Sequence, residues 1–211
     1  MATAVFNWYG AAGAKILNKE VDYDTDTIVA TLHTNTYTPN RDTHAYVSDL
    51  TNEVANGAGY TTGGKTLASK TISYVAANSW AQTAAISTAY AVGEVRRPST
   101  GNGFLYRVAV AGTSSGTAPT WPTTTGATVT DGGVTWTCVG RGAVTLDAAD
   151  LSWATATFTA VRHVVLSDRT PGTAATQPLL GIATFSADEA GGGGNWDLQF
   201  DAGGILVIFV P

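Results

Sequence analysis

The sequence predicts a mainly β protein: an antiparallel β-sandwich or barrel-like domain with one short helix, interrupted by an inserted small β module. Charged residues are only 13% of the 211-residue chain, and 24 glycines together with many threonines favour short strands and turns. Apolar and polar residues alternate in several segments. The composition changes after Ala77 and changes back near Arg141, which predicts a discontinuous outer domain (residues 1–77 and 141–211) around a module of residues 78–140.

The first patterned segment covers residues 14–34, AKILNKEVDYDTDTIVATLHT, and its alternation predicts two strands around the polar turn DYDTD. Asp22, Asp24 and Asp26 are spaced like the first ligands of a calcium loop. However, Thr27 replaces the glycine that such a loop requires, and His33 stands where a bidentate glutamate is needed. The pattern therefore disfavours a metal site.

The one helix is predicted after the segment TPN. Asp42 can cap it, and Tyr46, Leu50 and Val54 follow at positions i, i+4 and i+8 of one helical face. The pair Asn56-Gly57 is a typical C-terminal stop.

The next stretch, GYTTGGKT (residues 59–66), fits the phosphate-loop pattern G-x-x-x-x-G-K-[ST] at every required position. Such a loop needs a buried apolar strand before it and a helix after it. Here the preceding TNEVANGA is too polar for a buried strand, and the following LASKTISYVA alternates as a strand does. We therefore predict a glycine-rich turn that reverses into a strand, with Gly63 and Gly64 at positive φ.

The inserted module, residues 78–140, contains Trp80, Trp121 and Trp136 of the six tryptophans, together with a series of short strand signals. Asp131-Gly132 predicts a hairpin turn within it. At about 60 residues the module is near the lower size limit for an independent core, which explains its density of aromatic residues.

After the module, residues 142–168 predict strands with a turn at Asp147 to Asp150, and a final apolar strand, Ile205 to Val210, is expected to supply much of the core. Insertions are tolerated at turns between adjacent strands. The strands at residues 70–75 and 144–146 are therefore predicted to lie side by side.

Composition disfavours several functions. With 11 basic and 16 acidic residues, a net charge of −5, the chain lacks the basic surface of a nucleic-acid-binding protein. The single Cys138 excludes an internal disulfide and is expected to be buried; three histidines far apart in sequence, His44 among them, disfavour zinc. We expect no signal peptide and no membrane insertion, because the N-terminus lacks the required pattern and no apolar run approaches 18 residues.

Three segments resemble a class of tailed-bacteriophage virion proteins: RDTHAYVSDLTNEVANGAGYTTGGKTLAS, VTLDAADLSWATATFTAVRHVVLSD and WDLQFDAGGILVI. In that class a DLTNEV segment precedes GYTxGGxTL, and the strand after it runs almost directly into the VTLD strands. The resemblance therefore supports the insertion and implies that Lys65 is a polar turn residue.

Residues 78–140 are similar to a small module that recurs in phage structural proteins. The shared pattern includes TAY (residues 88–90), PTWP (119–122), DG (131–132) and VTW (134–136), and Ser115 lengthens one loop relative to it. Such modules are presumed to bind surface carbohydrate. The resemblance thus implies glycan contacts at Trp121, Trp80 and Tyr106, although a small module also needs these rings for its core, and both interpretations stay open.

The resemblance implies a non-enzymatic virion structural protein without cofactors: a capsid decoration or cement protein, at the virion surface after assembly in the host cytoplasm. Its expected partners are the major capsid protein or other virion proteins and further copies of itself, with a trimer expected. The alternative is a tail or fibre component that binds host surface glycan through the module. An enzyme is disfavoured, because closeness in sequence does not make a catalytic pair of Asp147/Asp150 or Asp188/Glu189, Asp147 and Asp150 are better explained as turn residues, and no G-x-S-x-G motif occurs.

Overall fold

The computed structural model describes residues 2–211. It is mainly β, with 41% strand and 6% helix, several antiparallel sheets and one short α-helix in a β-sandwich-like fold. The predicted fold class is confirmed.

The first nine strands are β1 (Ala2–Thr3), β2 (Phe6–Trp8), β3 (Ile28–Thr34), β4 (Lys65–Thr66), β5 (Thr71–Ala76), β6 (Ala89–Tyr90), β7 (Val95–Arg96), β8 (Leu105–Val110) and β9 (Gly112–Thr113). The others are β10 (Thr128–Asp131), β11 (Val134–Gly140), β12 (Gly142–Asp147), β13 (Leu151–Trp153), β14 (Val161–Asp168), β15 (Leu179–Glu189), β16 (Trp196–Gln199) and β17 (Leu206–Val210). Helix α1 spans Ala12–Leu17, and 3₁₀ turns lie at Val47–Asp49 and Ala77–Ser79. No helix among residues 2–211 has the length and apolar character needed to cross a membrane.

The chain divides into two compact units. The first unit holds residues 2–72 and Leu146–Leu206, and the second unit holds Ser73–Thr145 and Val207–Pro211. Residues 78–140, predicted as the inserted module, lie within the second unit, which also takes in the residues flanking them and the C-terminal residues.

The first unit is built on a five-stranded sheet of order β2-β15-β14-β3-β4. Its central strands β3 and β14 pair antiparallel and are buried along almost their whole length, which accounts for their near-continuous apolar sequences. A three-stranded sheet, β1-β16-β13, also belongs to this unit, and Trp153 on β13 contacts Trp196 on β16 with ring centroids 5.4 Å apart.

The second unit contains a four-stranded sheet of order β10-β11-β8-β7 and most residues of a sheet of order β17-β12-β5. In the β10–β11 hairpin Asp131 pairs with Val134 and Gly132 has φ of 62°, which confirms the predicted turn. Strands β5 and β12 are neighbours, which confirms the predicted adjacency around the insertion. Cys138 is buried, as predicted.

Two secondary-structure predictions are wrong. Residues 12–17, assigned in part to a strand, form α1: Ala12, Ala14, Lys15 and Leu17 are good helix formers, which offsets the low helix propensity of Gly13. The helix predicted after Asp42 is reduced to the 3₁₀ turn Val47–Asp49.

The reason for the lost helix is local hydrogen bonding. The carboxylate of Asp49 accepts bonds from the backbone N–H groups of Ala45 (2.8 Å) and Tyr46 (2.9 Å), which caps a single turn. The N–H of Val47 donates to the carbonyl of Gln177 at 2.9 Å, and Leu50 is already extended. The segment is therefore held by the loop at residues 174–177 and does not continue as a helix.

The terminal strand also departs from expectation. Leu206 is buried in the core of the first unit, but Val207 and Phe209 pack against a core cluster of the second unit, and Ile208 and Val210 are exposed. Successive side chains of β17 therefore point to different surroundings, and the strand does not supply much of any single core.

Candidate functional site

Trp121, the first of the predicted glycan contacts, lines a shallow depression in the second unit. The depression is lined by Ala84, Ala85, Ile86, Ser99, Ala118, Pro119, Trp121 and Asp131. The indole of Trp121 is half-buried, with its ring centroid 4.5 Å from that of Tyr106 and 5.5 Å from that of Trp136. It thus contributes to the aromatic core while part of its surface faces the depression.

The only carboxylate in this depression has a structural role. Asp131 is buried; its Oδ1 accepts bonds from the Ser115 N–H (2.9 Å) and Ser115 Oγ (2.7 Å), and its Oδ2 lies 3.4 Å from the Trp136 indole nitrogen. These bonds tie the β10–β11 hairpin to the loop that Ser115 lengthens. Asp131 therefore stabilises the wall of the depression.

The other two predicted glycan contacts are core residues. Trp80 is 3% exposed and Tyr106 is 0% exposed, so neither presents a ring face on which a sugar could stack. The Tyr106 hydroxyl accepts a bond from the Asn102 amide and donates to the Pro122 carbonyl, each at 2.7 Å. The role predicted for these two residues is corrected: Trp80 and Tyr106 are core residues of two buried clusters in the second unit, because a small unit needs large rings to bury enough area.

The glycine-rich segment at residues 59–66 is a turn, as predicted. Gly63 and Gly64 have φ of 98° and 85°, and Lys65 begins the short exposed strand β4. The Gly63 N–H donates to Glu53 Oε1 at 2.7 Å, and the Lys65 ammonium contacts the Ser152 carbonyl. These polar groups of the glycine-rich segment thus form their bonds within the first unit.

The aspartate-rich segment at residues 22–26 is also a turn. Asp22 N–H donates to Asp26 Oδ2 at 2.6 Å, and Asp26 N–H donates to the Asp22 carbonyl at 2.8 Å. Within residues 2–211 no cluster of three or more His, Cys, Asp and Glu side chains has an arrangement that could hold a metal ion.

The carboxylates considered for catalysis also make bonds within the chain. Asp147 accepts the Ala148 N–H at 2.9 Å within the turn between β12 and β13, and Asp150 accepts the Phe200 N–H at 2.8 Å, which links this turn to the residue after β16. Asp188 forms an ion pair with Arg162 at 2.7 Å.

The structure brings the three histidines together, which the sequence did not indicate. His33 on β3 and His163 on β14 are directly opposite in the antiparallel pair, and the ring of Tyr37 lies 5.1 Å from His33 and 5.6 Å from His163. The Tyr37 hydroxyl bonds to His44 Nδ1 at 2.9 Å and to the Tyr9 hydroxyl at 3.1 Å. The only available signal was that His33 and His163 each occupy an apolar strand segment.

The surroundings of His33 and His163 favour the neutral form of these two imidazoles. Burial lowers the pKa of His33 and of His163, and for His163 the facing His33 lowers the pKa further. His33 Nδ1 donates to the Thr51 carbonyl at 2.8 Å, which leaves Nε2 to accept from the Thr31 hydroxyl at 2.9 Å. The cluster is a buried structural network of the first unit.

An apolar surface lies on the β17-β12-β5 sheet. Val75, Ala143, Val207 and Phe209 belong to a core cluster of the second unit, and strand alternation places a second set of side chains on the opposite face. We call this opposite set the apolar sheet face: Tyr74, Val144, Ile208 and Val210.

The apolar sheet face is open to solvent at both outer strands. Tyr74 is 58% exposed and Ile208 is 43% exposed, and none of its four side chains is charged. A Cβ added at Gly142 would lie 2.6 Å from the Tyr74 hydroxyl oxygen, so this glycine lets the tyrosine ring lie across the central strand. Strands β5 and β17 are the edges of the sheet.

Comparison with known protein families, with curated proteins and with solved structures finds no match in any of the three.

Proposed function

We propose that this chain is a non-enzymatic bacteriophage virion structural protein: a capsid decoration or cement protein on the outer shell. The motif resemblance of the first unit supports this function, from DLTNEV through GYTTGGKTL to the VTLD strands. The proposed partners are the major capsid protein and further copies of this chain, with a trimer as the proposed oligomer. The chain assembles in the host cytoplasm and resides at the virion surface.

The observation that carries the proposal is the apolar sheet face. Large contiguous apolar patches are uncommon on monomeric soluble proteins and mark interaction surfaces. Edge strands of soluble monomers usually carry charges or prolines that block pairing, whereas β5 (TISYVA) and β17 (LVIFV) contain neither. Docking against the shell protein would remove this face from water, which is the contact a cement protein needs.

The second candidate is a tail or fibre component that binds host surface glycan. The half-exposed indole of Trp121 favours it, because a flat aromatic face beside a depression can stack on a sugar ring. The buried Trp80 and Tyr106 no longer support it.

Electron microscopy of purified virions labelled with an antibody against this chain distinguishes these functions. Label distributed over the head is expected for a decoration protein. Label confined to the tail tip or fibres would favour the glycan-binding component, and Trp121→Ala would then be tested for loss of adsorption. Particles without label, in a preparation whose infected lysate contains the chain, would refute the virion assignment.

A further inference from the structure

Three side chains of the first unit form a chain of two hydrogen bonds. The Tyr9 hydroxyl lies 3.1 Å from the Tyr37 hydroxyl, and the Tyr37 hydroxyl lies 2.9 Å from His44 Nδ1. Tyr9 is 1% exposed and Tyr37 is 2% exposed. Among the described residues, the Tyr9 hydroxyl has no hydrogen-bond partner other than Tyr37. The chain joins the residue that follows β2 to the segment between β3 and the 3₁₀ turn at Val47–Asp49.

The number of hydrogens in this chain depends on the protonation of His44. When its Nδ1 carries no hydrogen, Tyr9 donates to Tyr37 and Tyr37 donates to Nδ1, so two hydrogens fill two contacts. A protonated imidazole carries a hydrogen on both ring nitrogens. Three hydrogens then compete for the same two contacts, and one of them has no acceptor. A buried donor without an acceptor destabilises the structure that contains it.

The two tyrosines cannot remove the excess hydrogen by ionising. Burial raises the pKa of Tyr9, and its hydrogen bond to Tyr37 raises that pKa further. Burial also raises the pKa of Tyr37. His44 is partly exposed, so solvent can deliver a proton to its ring. The extra hydrogen therefore enters and leaves the chain at His44.

Two charged groups of the same segment act on the chain, Arg41 and Asp49. The Asp49 carboxylate accepts the backbone N–H groups of Ala45 at 2.8 Å and Tyr46 at 2.9 Å. Its negative charge favours a positive ring on His44. The other titratable or charged groups around the cluster are His33, His163, Glu53, Arg162, Arg169 and Asp188, and, on α1, Lys15, which pairs with Glu20.

We propose that the Tyr9–Tyr37–His44 chain is a proton-sensitive clasp. It holds residues 37–44 to the end of β2 while His44 is neutral, and uptake of one proton by His44 breaks one of its two hydrogen bonds. This device is independent of the virion function proposed above. It also differs from the acid response of His33 and His163, because it depends on hydroxyl groups and not on charging a buried ring.

The test compares the melting temperatures of wild type, Tyr37→Phe and Tyr23→Phe at pH 8 and pH 5, on either side of the value near 6.5 at which a free imidazole titrates. Tyr37→Phe keeps the ring that packs against His33 and His163 and removes only the hydroxyl. Wild type should melt about 3 °C or more above Tyr37→Phe at pH 8. At pH 5 this gap should fall to less than about half, because the wild-type chain then contains an unsatisfied donor.

Tyr23→Phe is the matched control. Tyr23 is 1% exposed, and its hydroxyl donates to the backbone carbonyl of Asp147 at 3.2 Å, an acceptor that does not titrate. The gap between wild type and Tyr23→Phe should be the same at both pH values. In a His44→Gln background, the effect of Tyr37→Phe should also be the same at both pH values.

Three outcomes would overturn the proposal. One is a gap between wild type and Tyr37→Phe that does not change between pH 8 and pH 5. Another is a change in this gap that persists in the His44→Gln background, which would assign it to His33 or His163. If Tyr37→Phe fails to fold, ¹⁵N NMR of wild type at pH 8 replaces it: His44 is expected as the tautomer with hydrogen on Nε2, and hydrogen on Nδ1 would refute the clasp.

Discussion

At the scale of single residues, the glycine-rich turn gives a sharp prediction. Gly63 and Gly64 both have positive φ, but a Cβ at Gly63 would meet nothing within 4 Å, whereas a Cβ at Gly64 would overlap the backbone carbonyl of Ala30. Gly63→Ala should cost about 1–2 kcal/mol of unfolding free energy for the left-handed conformation alone. Gly64→Ala should cost at least about 2 kcal/mol more, because β3 would have to shift. Denaturant unfolding measures both, and equal losses would contradict the close approach.

The histidine cluster predicts acid sensitivity at the same scale. Because burial lowers the folded-state pKa of His33 and His163, the neutral rings stabilise the fold at pH 7, and this stability is lost as pH falls below the unfolded value of about 6.5. His163→Gln keeps a polar group near the Thr184 hydroxyl but cannot be protonated. It should lose less melting temperature than wild type between pH 7 and 5. The difference in melting temperature between His163→Gln and wild type at pH 8 measures the effect of the substitution on packing. If both proteins lose the same melting temperature between pH 7 and 5, His163 does not titrate in this range.

At the scale of secondary-structure elements, sequence patterns succeeded where local chemistry and tertiary structure agree. The β10–β11 hairpin and the glycine-rich turn need residues with special backbone freedom, so Gly132, Gly63 and Gly64 predict them directly. The apolar spacing of Tyr46, Leu50 and Val54 failed, because backbone donors in this segment bond to the loop at residues 174–177. The spacing of apolar residues in a segment does not reveal hydrogen-bond partners that are distant in sequence.

The central strands should dominate the stability of the first unit. Leu166 on β14 is 0% exposed, and Leu17 at the end of α1 is 85% exposed. Leu166→Ala should destabilise the fold by about 2–5 kcal/mol, because it leaves a cavity between packed layers. The same substitution at Leu17 should change stability by less than about 0.5 kcal/mol. Chemical denaturation of the two variants checks this, and similar losses would argue against β14 as the core strand.

At the scale of the whole molecule, the sequence predicted the aromatic cluster of the second unit but not which rings are accessible. Composition cannot separate a core aromatic from a binding aromatic: of the three predicted glycan contacts, Tyr106 and Trp80 are buried and Trp121 alone is partly exposed. The grouping of three histidines around Tyr37 was equally hidden, since it depends on the register of β3 against β14. These features arise from pairing between strands that are far apart in sequence, so local patterns in a single sequence do not predict them.

The apolar sheet face gives the prediction that bears on assembly. A lysine in place of Ile208 would have to lose its hydration when this face docks, at a cost of several kcal/mol. Ile208→Lys should therefore lower the number of copies per purified virion at least tenfold, as counted by quantitative mass spectrometry. Val92→Lys introduces the same charge at a residue 61% exposed outside the sheet and should be incorporated normally. Both variants must first melt within about 3 °C of wild type, so that a folding defect is not mistaken for a docking defect. Equal incorporation of Ile208→Lys and Val92→Lys would show that another surface of this chain binds the shell.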